Sequence, residues 1–304
     1  MSSEDPLLAQ LRETRRDFLA LVAQLRPELH RYCARMTGSI ADGEDVVQDV
    51  LARAYYELSA SKEVPALRNW LFRIAHNRAL DFLRRYERRM SEPLDSAEEL
   101  PDEARGAPEE LLAREQAVRT AISRFLELAP AQRSCVILKD VLGHSLEDVG
   151  EHLGLSIPAV KAALHRGRSR LAELSASPES AASPHAARAS PVLARYVTLF
   201  NARDWDGVRA MLADDVRLDV VSAVRRQGRD EVGVYFGNYA KFGDWRLASG
   251  WLDGREVLCV FRPASAQQPS AFIEVTTVGD HIAMIRDYSH VPYIMQEADI
   301  RTIS

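Results

Sequence analysis

Two stretches of this chain are unable to bury a core, and together they divide 304 residues into three foldable pieces. Residues 91–110 read SEPLDSAEELPDEARGAPEE, with eight acidic side chains, one Arg and three prolines; a net charge of minus seven makes this a solvated tether. Residues 175–191, SASPESAASPHAARASP, are low in complexity and rich in Ala, Ser and Pro, which marks a second tether. The expected organisation is a domain over 1–90, an acidic linker over 91–110, a domain over 111–175, a linker over 176–190 and a domain over 191–304.

Hydrophobic residues make up 46% and charged residues 27%, which fits an ordinary soluble globular protein. No run approaches the roughly 18 apolar residues of a membrane span. The N-terminal MSSEDPLLAQLRETRRDF lacks the basic start and apolar middle of a secretory signal, so a cytoplasmic location is expected, away from membranes. Cys33, Cys135 and Cys259 are odd in number and far apart. They argue against a disulfide framework or a zinc site and suit small core residues in a reducing compartment. No metal or cofactor is expected.

In the first piece, Leu11, Phe18, Leu21, Val22, Leu25, Leu29 and Tyr32 predict two helical segments up to Met36, with Pro27 in the first turn of the second and Gly38 closing it. Asp42 precedes a predicted helix from Glu44 to Leu58 with an acidic first turn. One of its faces carries Val47, Leu51, Ala54, Tyr55 and Leu58, while the other keeps Asp45, Gln48, Asp49 and Arg53 in water. A polar loop, Ser59 to Pro65, leads into LRNWLFRIAHNRALDFLRRYERR, Leu67 to Arg89. Trp70, Leu71, Ile74, Leu80, Phe82 and Leu83 fall at helical spacing, and seven Arg against Asp81 and Glu87 leave this window at plus five in a chain of net minus five. Such a contrast asks for a polyanionic partner. Spacing alone leaves a solvated amphipathic helix as the alternative.

The second piece resumes helical periodicity from Leu111 through Val118, Ile122, Phe125 and Leu126 to Pro130, then from Gln132 to Val141, with Gly143 as a stop. LEDVGEHLGLSIPAVKAALHRGRSRL, Leu146 to Leu171, has the anatomy of a helix-turn-helix: a short helix to Leu153, a turn at Gly154, Ser156 as cap and Pro158 in the next first turn. Val160, Leu164 and Leu171 face inward; Lys161, His165, Arg166, Arg168 and Arg170 face outward. Arg and Lys on a second helix suit guanine edges and phosphates in a major groove, and a hairpin used only for packing is the alternative.

The third piece begins with a predicted helix from Pro191 to Leu212. Segments 216–222, 245–252, 255–262, 270–278 and 281–288 read as strands, Asp253-Gly254 and Gly279-Asp280 as hairpin turns, and Arg229 to Ala240 as a short helix. Together they make an α+β domain.

The run Gly43-Glu44-Asp45-Val46-Val47-Gln48-Asp49 with Leu67 to Arg85 closely resembles the second region of extracytoplasmic-function sigma factors. Leu128-Ala129-Pro130, Val160-Lys161 and Leu164-His165-Arg166-Gly167-Arg168 resemble their fourth region. The resemblance covers residues 15 to 175 and implies two all-α sigma domains, a helical bundle and a helix-turn-helix. It implies core RNA polymerase and promoter DNA as partners, with an anti-sigma factor as a further candidate. Asp45, Gln48, Asp49 and Arg53 would dock on polymerase; Trp70, Arg73, Asn77, Arg78, Arg84 and Arg85, with the loop Ser59 to Ala66, would recognise and open the minus-ten element. Ser156, Lys161, His165, Arg166 and Arg168 would read the minus-thirty-five element. Family members carry a Ser-Arg pair before Leu-His-Arg, where this chain has Ala162-Ala163, so a lost DNA contact is expected there.

The third piece resembles the SnoaL-like branch of the NTF2-like cone fold, through Gln227-Gly228-Arg229-Asp230-Glu231-Val232 opening a helix and Arg286-Asp287-Tyr288 in the last strand. That likeness implies a pocket inside a curved sheet, for which Trp205, Asp219, Trp245, Trp251, Tyr288 and His290 are the candidate lining. No nucleophile–base pair is visible, and Asp219 is the carboxylate best suited to proton abstraction beside a carbonyl. The expectation is a non-enzymatic promoter-specificity subunit regulated in cis by its C-terminal domain. A bifunctional protein, whose C-terminal domain is a sensor of a small-molecule ligand or an enzyme, stays open beside it. An ordinary helix-turn-helix repressor is disfavoured by the basic helix and its acidic predecessor.

Overall fold

A computed structural model describes residues 6–60, 67–90, 121–176, 190–241 and 243–302. Both linkers, most of the loop Ser59 to Ala66 and the start of the helix expected from Leu111 fall outside the described residues. The chain separates into two compact units, residues 1–179 and 180–304.

In the first unit, α1 (Pro6–Thr37) and α2 (Ile40–Ala60) form a tight pair, joined by Gly38 at φ +75°. The expected break at Pro27 does not occur. One helix runs through it, because the buried Val22, Leu25 and Leu29 on either side hold the turns against the core, and only one backbone bond is lost. Helix α2 starts earlier than expected, at Ile40: Ser39 Oγ accepts the Asp42 amide at 3.2 Å, so Ser39 is the cap and Asp42 lies inside the first turn. At Gly43 a Cβ would stand 2.5 Å from Ala34 Cα, so only glycine lets α1 and α2 approach this closely. Tyr55, expected on the inward face, is 43% exposed.

Helix α3 (Leu67–Met90) buries Leu71, Ala75, Ala79 and Leu83 at four-residue spacing along one stripe, with Phe72 beside Leu71. Residues Ile122–Glu127 form a 3₁₀ turn rather than the end of an α-helix. Pro130, expected as a stop, is instead the first residue of α4 (Pro130–Val136), where its missing N–H costs nothing. A π-turn over Ile137–Val141 continues α4, with Leu142 N donating to Ile137 O at 2.9 Å.

The helix-turn-helix forms as expected from α5 (Leu146–Leu153) and α6 (Ile157–Ala176). Ser145 and Asp148 close a reciprocal capping box on α5, and the Ser145 hydroxyl holds the Asp148 carboxyl below the usual carboxylate range. Gly154, in the left-handed region at φ +67°, ends α5.

Side chains from α1, α2 and α3 and from α4, α5 and α6 meet in one buried cluster, from Val22 through Phe72 to Leu171. The two helical halves of the unit therefore share a core.

In the second unit the expected long helix is two: α7 (Pro191–Asn201) and α8 (Trp205–Ala210). Arg203 at φ +62° breaks the chain direction, and Asp204 caps α8 by accepting the Gly207 amide at 2.8 Å. Strands β1 (Leu212–Val220), β2 (Val224–Gln227), β3 (Arg246–Leu252), β4 (Arg255–Phe261), β5 (Ala271–Val278), β6 (His281–Asp287) and β7 (Arg301–Thr302) form one sheet in the order β2-β1-β6-β5-β4-β3-β7. Only β1 and β6 pair in parallel among the described strands. Strands β2 and β7 were not anticipated: β2 is exposed at all four positions and so has no alternating signature. Register shifts between Leu212 and Arg217 and between Thr276 and Thr277 bend the sheet. Against it lie α7, α8 and α9 (Arg229–Lys241), sharing a core of Tyr196, Phe200, Phe236, Leu218 and Ile285.

Candidate nucleic-acid interface and C-terminal pocket

With its apolar stripe committed to the core, α3 turns Arg73, Asn77, Arg84 and Arg85 to solvent and leaves Arg78 half-buried. Arg84 lies 3.7 Å from Asp81, and Arg85 Nε donates to the Asp81 carbonyl at 3.2 Å. Ile74, Asn77, Arg78 and Asp81 line a cleft of about 340 Å³ whose other wall is Arg53 and Glu57 of α2, themselves ion-paired. Arg53, assigned in sequence to a protein contact, thus shares a cleft with the candidate DNA residues. Trp70 is half-buried and packs on the helical core. Earlier on α2, Asp49 is exposed while Asp45 and Gln48 are half-buried, so the four-residue polar face is only partly in water.

On α6, Lys161 is exposed and His165 and Arg166 are half-buried. Ser156 is exposed and accepts the Ala159 amide at 3.4 Å, which engages its hydroxyl in capping. Two expectations fail here. Arg168 is engaged internally, its Nε and one terminal nitrogen gripping both oxygens of the buried Asp140 at 2.9 and 2.6 Å. Ala163 is 3% exposed and faces the core, so its small side chain fills a packing position and is no lost DNA contact. At neighbouring Gly167 a Cβ would meet Val136 at 2.6 Å, which shows how closely α6 seats on α4.

The seam between the two helical halves is rich in polar groups. Arg133, 5% exposed, donates to the carbonyls of Met36 at 2.6 Å, Leu128 at 2.9 Å and Leu126 at 3.1 Å, capping the end of α1 from α4. Tyr32 Oη lies 2.9 Å from His76 Nδ1 and donates to Ser134 Oγ at 3.2 Å. Burial pushes His76 down to about 4 and raises the Tyr32 phenol well above its usual value. At the start of α3, Glu28 meets Arg68 at 2.5 Å and His144 Nε2 at 2.7 Å, His144 Nδ1 meets His152 Nε2 at 3.1 Å, and Asn69 donates to Glu151 at 2.7 Å. Phe72 packs on both imidazoles, edge-on to His144 at 4.9 Å and stacked on His152 at 5.3 Å. Burial, then the neighbouring His144, brings His152 down to about 4. These residues carry no signal in the sequence, because nothing in their spacing reports a contact between segments 28–76 and 133–152.

The second unit holds a cavity of about 530 Å³. Its walls are Leu218, Val220, Val224, Val234, Tyr235, Tyr239 and Trp245; Arg226, Arg262 and His290 also line it, along with Asp287. Of the six expected lining residues, Trp245 and His290 are present and four are elsewhere. Trp205 packs edge-on to Phe200 at 5.2 Å, and Trp251 is not part of the lining. Tyr288 is fully buried, stacked on Phe272 at 4.4 Å, with its hydroxyl donating to Glu274 at 2.9 Å. Asp219 falls between Leu218 and Val220, so strand alternation turns it to the opposite face, beside Arg225 at 3.4 Å and Arg286 at 3.8 Å.

The buried carboxylate of this cavity is Asp287, 2% exposed. It accepts from Tyr235 at 2.6 Å, Tyr239 at 2.9 Å and the Ser289 amide at 2.8 Å, and the two phenol oxygens are 2.7 Å apart. Burial, then the charge of Asp287, raises both phenols well above their usual value, so they remain hydrogen-bond donors. Arg262 stacks over Trp245 at 4.7 Å, and Arg226 pairs with Glu231 at 2.9 Å. A sequence signal for this cluster is present: Tyr235 and Tyr239 stand four apart on a helix, and Asp287 belongs to the Arg-Asp-Tyr run, of which only the tyrosine is expected at the pocket. No group of His, Cys, Asp or Glu among the described residues is arranged to hold a metal.

Comparison with known families matches residues 21–89 to Sigma-70 region 2, residues 124–171 to Sigma-70, region 4, and residues 193–286 to the SnoaL-like domain. The chain is 35% identical over 221 residues to the ECF RNA polymerase sigma factor SigG of Mycobacterium tuberculosis, which covers 64% of this chain and 58% of SigG. It is 32% identical over 142 residues to the RNA polymerase sigma factor CnrH of Cupriavidus metallidurans, covering 44% of this chain and 73% of CnrH. Among solved structures, the extracytoplasmic function sigma factor SigJ of Mycobacterium tuberculosis aligns over 88% of this chain and 95% of that chain at 22% identity, with a TM-score of 0.36.

Proposed function

We propose that this chain, which belongs to the extracytoplasmic-function family of RNA polymerase sigma factors and carries a SnoaL-like domain behind its sigma regions, binds core RNA polymerase in the cytoplasm and directs it to promoters. The observation that carries this is the division of labour on α2 and α3: one buried stripe, and opposite it an arginine row with Asn77 at a cleft. A cationic row suits the phosphates of an opened strand, and a polar cleft suits an unstacked base. Arg73, Asn77, Arg78, Arg84 and Arg85 act on the minus-ten element, and Trp70 holds the helix in place. Asp45, Gln48, Asp49 and Arg53 meet polymerase. On α6, Lys161, His165 and Arg166 read the minus-thirty-five element, Ser156 caps the helix, and Arg168 fixes its angle through Asp140. The SnoaL-like domain regulates these steps in cis.

Transcription in vitro with core polymerase, comparing the full chain with one truncated after residue 176, tests both statements. Promoter-specific transcripts from the full chain are expected, with a changed yield on truncation. No transcript from either form would remove the sigma reading, and equal yields would remove regulation in cis.

A second reading concerns the C-terminal unit alone and rests on the cavity of about 530 Å³ with its buried Asp287. That volume and its mostly apolar walls suit a small molecule, which makes the domain a sensor. Thermal shifts of the full chain against a metabolite set, repeated with Tyr239→Phe, test it: stabilisation that the variant loses is expected, and no stabilisation by any compound would count against a sensor.

A further inference from the structure

We infer that the C-terminal cavity takes a monocarboxylate with an apolar body, its head at a mouth marked by Arg262 and its body against Val220, Tyr235 and Trp245. This rests on the sensor reading of that cavity and names its ligand class.

The lining falls into two tiers. The inner wall is made by the buried Leu218, Val220, Tyr235, Tyr239 and Ala271, and Asp287 is the charged group among them. That carboxylate already accepts from donors of the protein itself: Tyr235 and Tyr239 at one oxygen, the amide and hydroxyl of Ser289 at the other. A charged group carried to this depth would lose its water for little in return, so the inner end of the ligand is apolar. Removing one of those donors, as Tyr239→Phe does, leaves the charge less covered and the wall less suited to hydrocarbon.

The mouth differs. Arg226, Glu231, Val234, Arg262 and His290 are exposed lining residues. Arg226 and Glu231 pair with each other at 2.9 Å, so among the described lining residues Arg262 sets the sign of the mouth. Strands β4 and β6 both run antiparallel to β5; Arg262, directly after β4, and His290, shortly after β6, therefore stand at the same end of the sheet. The Arg262 guanidinium lies over the Trp245 ring at 4.7 Å, which holds it at the rim. That contact argues against an organic cation as ligand, because the aromatic face that would receive one already carries a guanidinium. A carboxylate suits paired guanidinium N–H donors, with an imidazole at the same end. A volume of about 530 Å³ accommodates a body on the order of ten carbons.

Isothermal titration of the full chain with decanoate, decanol and decyltrimethylammonium, each below its micelle concentration, tests this. Decanoate should bind about tenfold or more tightly than the other two, since a charge-assisted contact is at stake. Octanoate should bind about fifteenfold more weakly than decanoate, each buried methylene being worth roughly fourfold. Arg262→Gln should cost decanoate about tenfold and leave decanol within about twofold. Val234→Glu, at a position 69% exposed and so tolerant of charge, should do the same by setting a like charge at the mouth. Decanol or decyltrimethylammonium binding the wild-type chain as tightly as decanoate would overturn the carboxylate class while leaving a sensor in place. An unchanged preference in Arg262→Gln would overturn the site of the head group. If none of the three binds, the inference falls; the sensor reading then stands or falls separately, on whether any compound of the metabolite set stabilises the chain.

Discussion

In the helical unit Arg133, His144 and His152 are buried along a seam between two packed halves; in the C-terminal unit Asp287 is buried at a cavity. The first arrangement uses hydrogen bonds to hold pieces of chain together, the second to hold polar atoms where something else can reach them. Buried polar groups therefore mark a joint between packed halves in one unit and the wall of a cavity in the other.

The most severe way to break this contrast is Arg133→Met, which leaves three buried carbonyls without their donor. A loss of about 3 kcal/mol or more is expected from the helical unit alone, read in urea as an early first transition with the second unmoved. Asp287→Ala should do the converse, costing the C-terminal unit about 2 kcal/mol by stranding two phenols, and a shift in the helical transition instead would show the wrong unit responding. Acid separates the units more gently. His76 and His152 hold folded values of about 4 against 6.5 unfolded, so the unfolded chain binds more protons between those values. Their stabilising share is complete above pH 6.5 and declines as the pH falls towards 4. Glu256, raised by burial, moves the other way, so melting at pH 7 and pH 5 should lower the helical transition more than the C-terminal one. Smallest in stability is Arg84→Glu with Arg85→Glu, both exposed, for which unfolding should change by no more than about 0.5 kcal/mol. Promoter opening should nevertheless be lost while core polymerase binding, followed by co-elution, is retained.

Much of the fold was legible where periodicity and punctuation agree. The α3 stripe, the Ser-Pro entry to α6, Gly154 and the Asp253-Gly254 hairpin each carry local signals that tertiary context leaves intact. Illegible features depend on partners distant in sequence. Pro27 stays inside α1 because of packing, Arg168 turns from surface to interior because Asp140 is there, and Ala163 faces inward because of its angle on α6. In the C-terminal unit, aromatic and acidic residue types suggested a lining. Strand alternation, fixed by a register that the sequence does not display, decided that Asp287 lines the cavity and Asp219 lies opposite.

The π-turn at Ile137–Val141 sets what kinds of change this protein can absorb. Leu142 bonds back five residues to Ile137, so the turn carries one residue more than an α-helix would, and that surplus presents Asp140 to Arg168. Deleting any one residue there would let the helix rewind and swing Asp140 by about 100°. Substitutions along the turn can drift, but a one-codon deletion would re-aim α6 as a whole, so its exposed face would change in a jump instead of residue by residue.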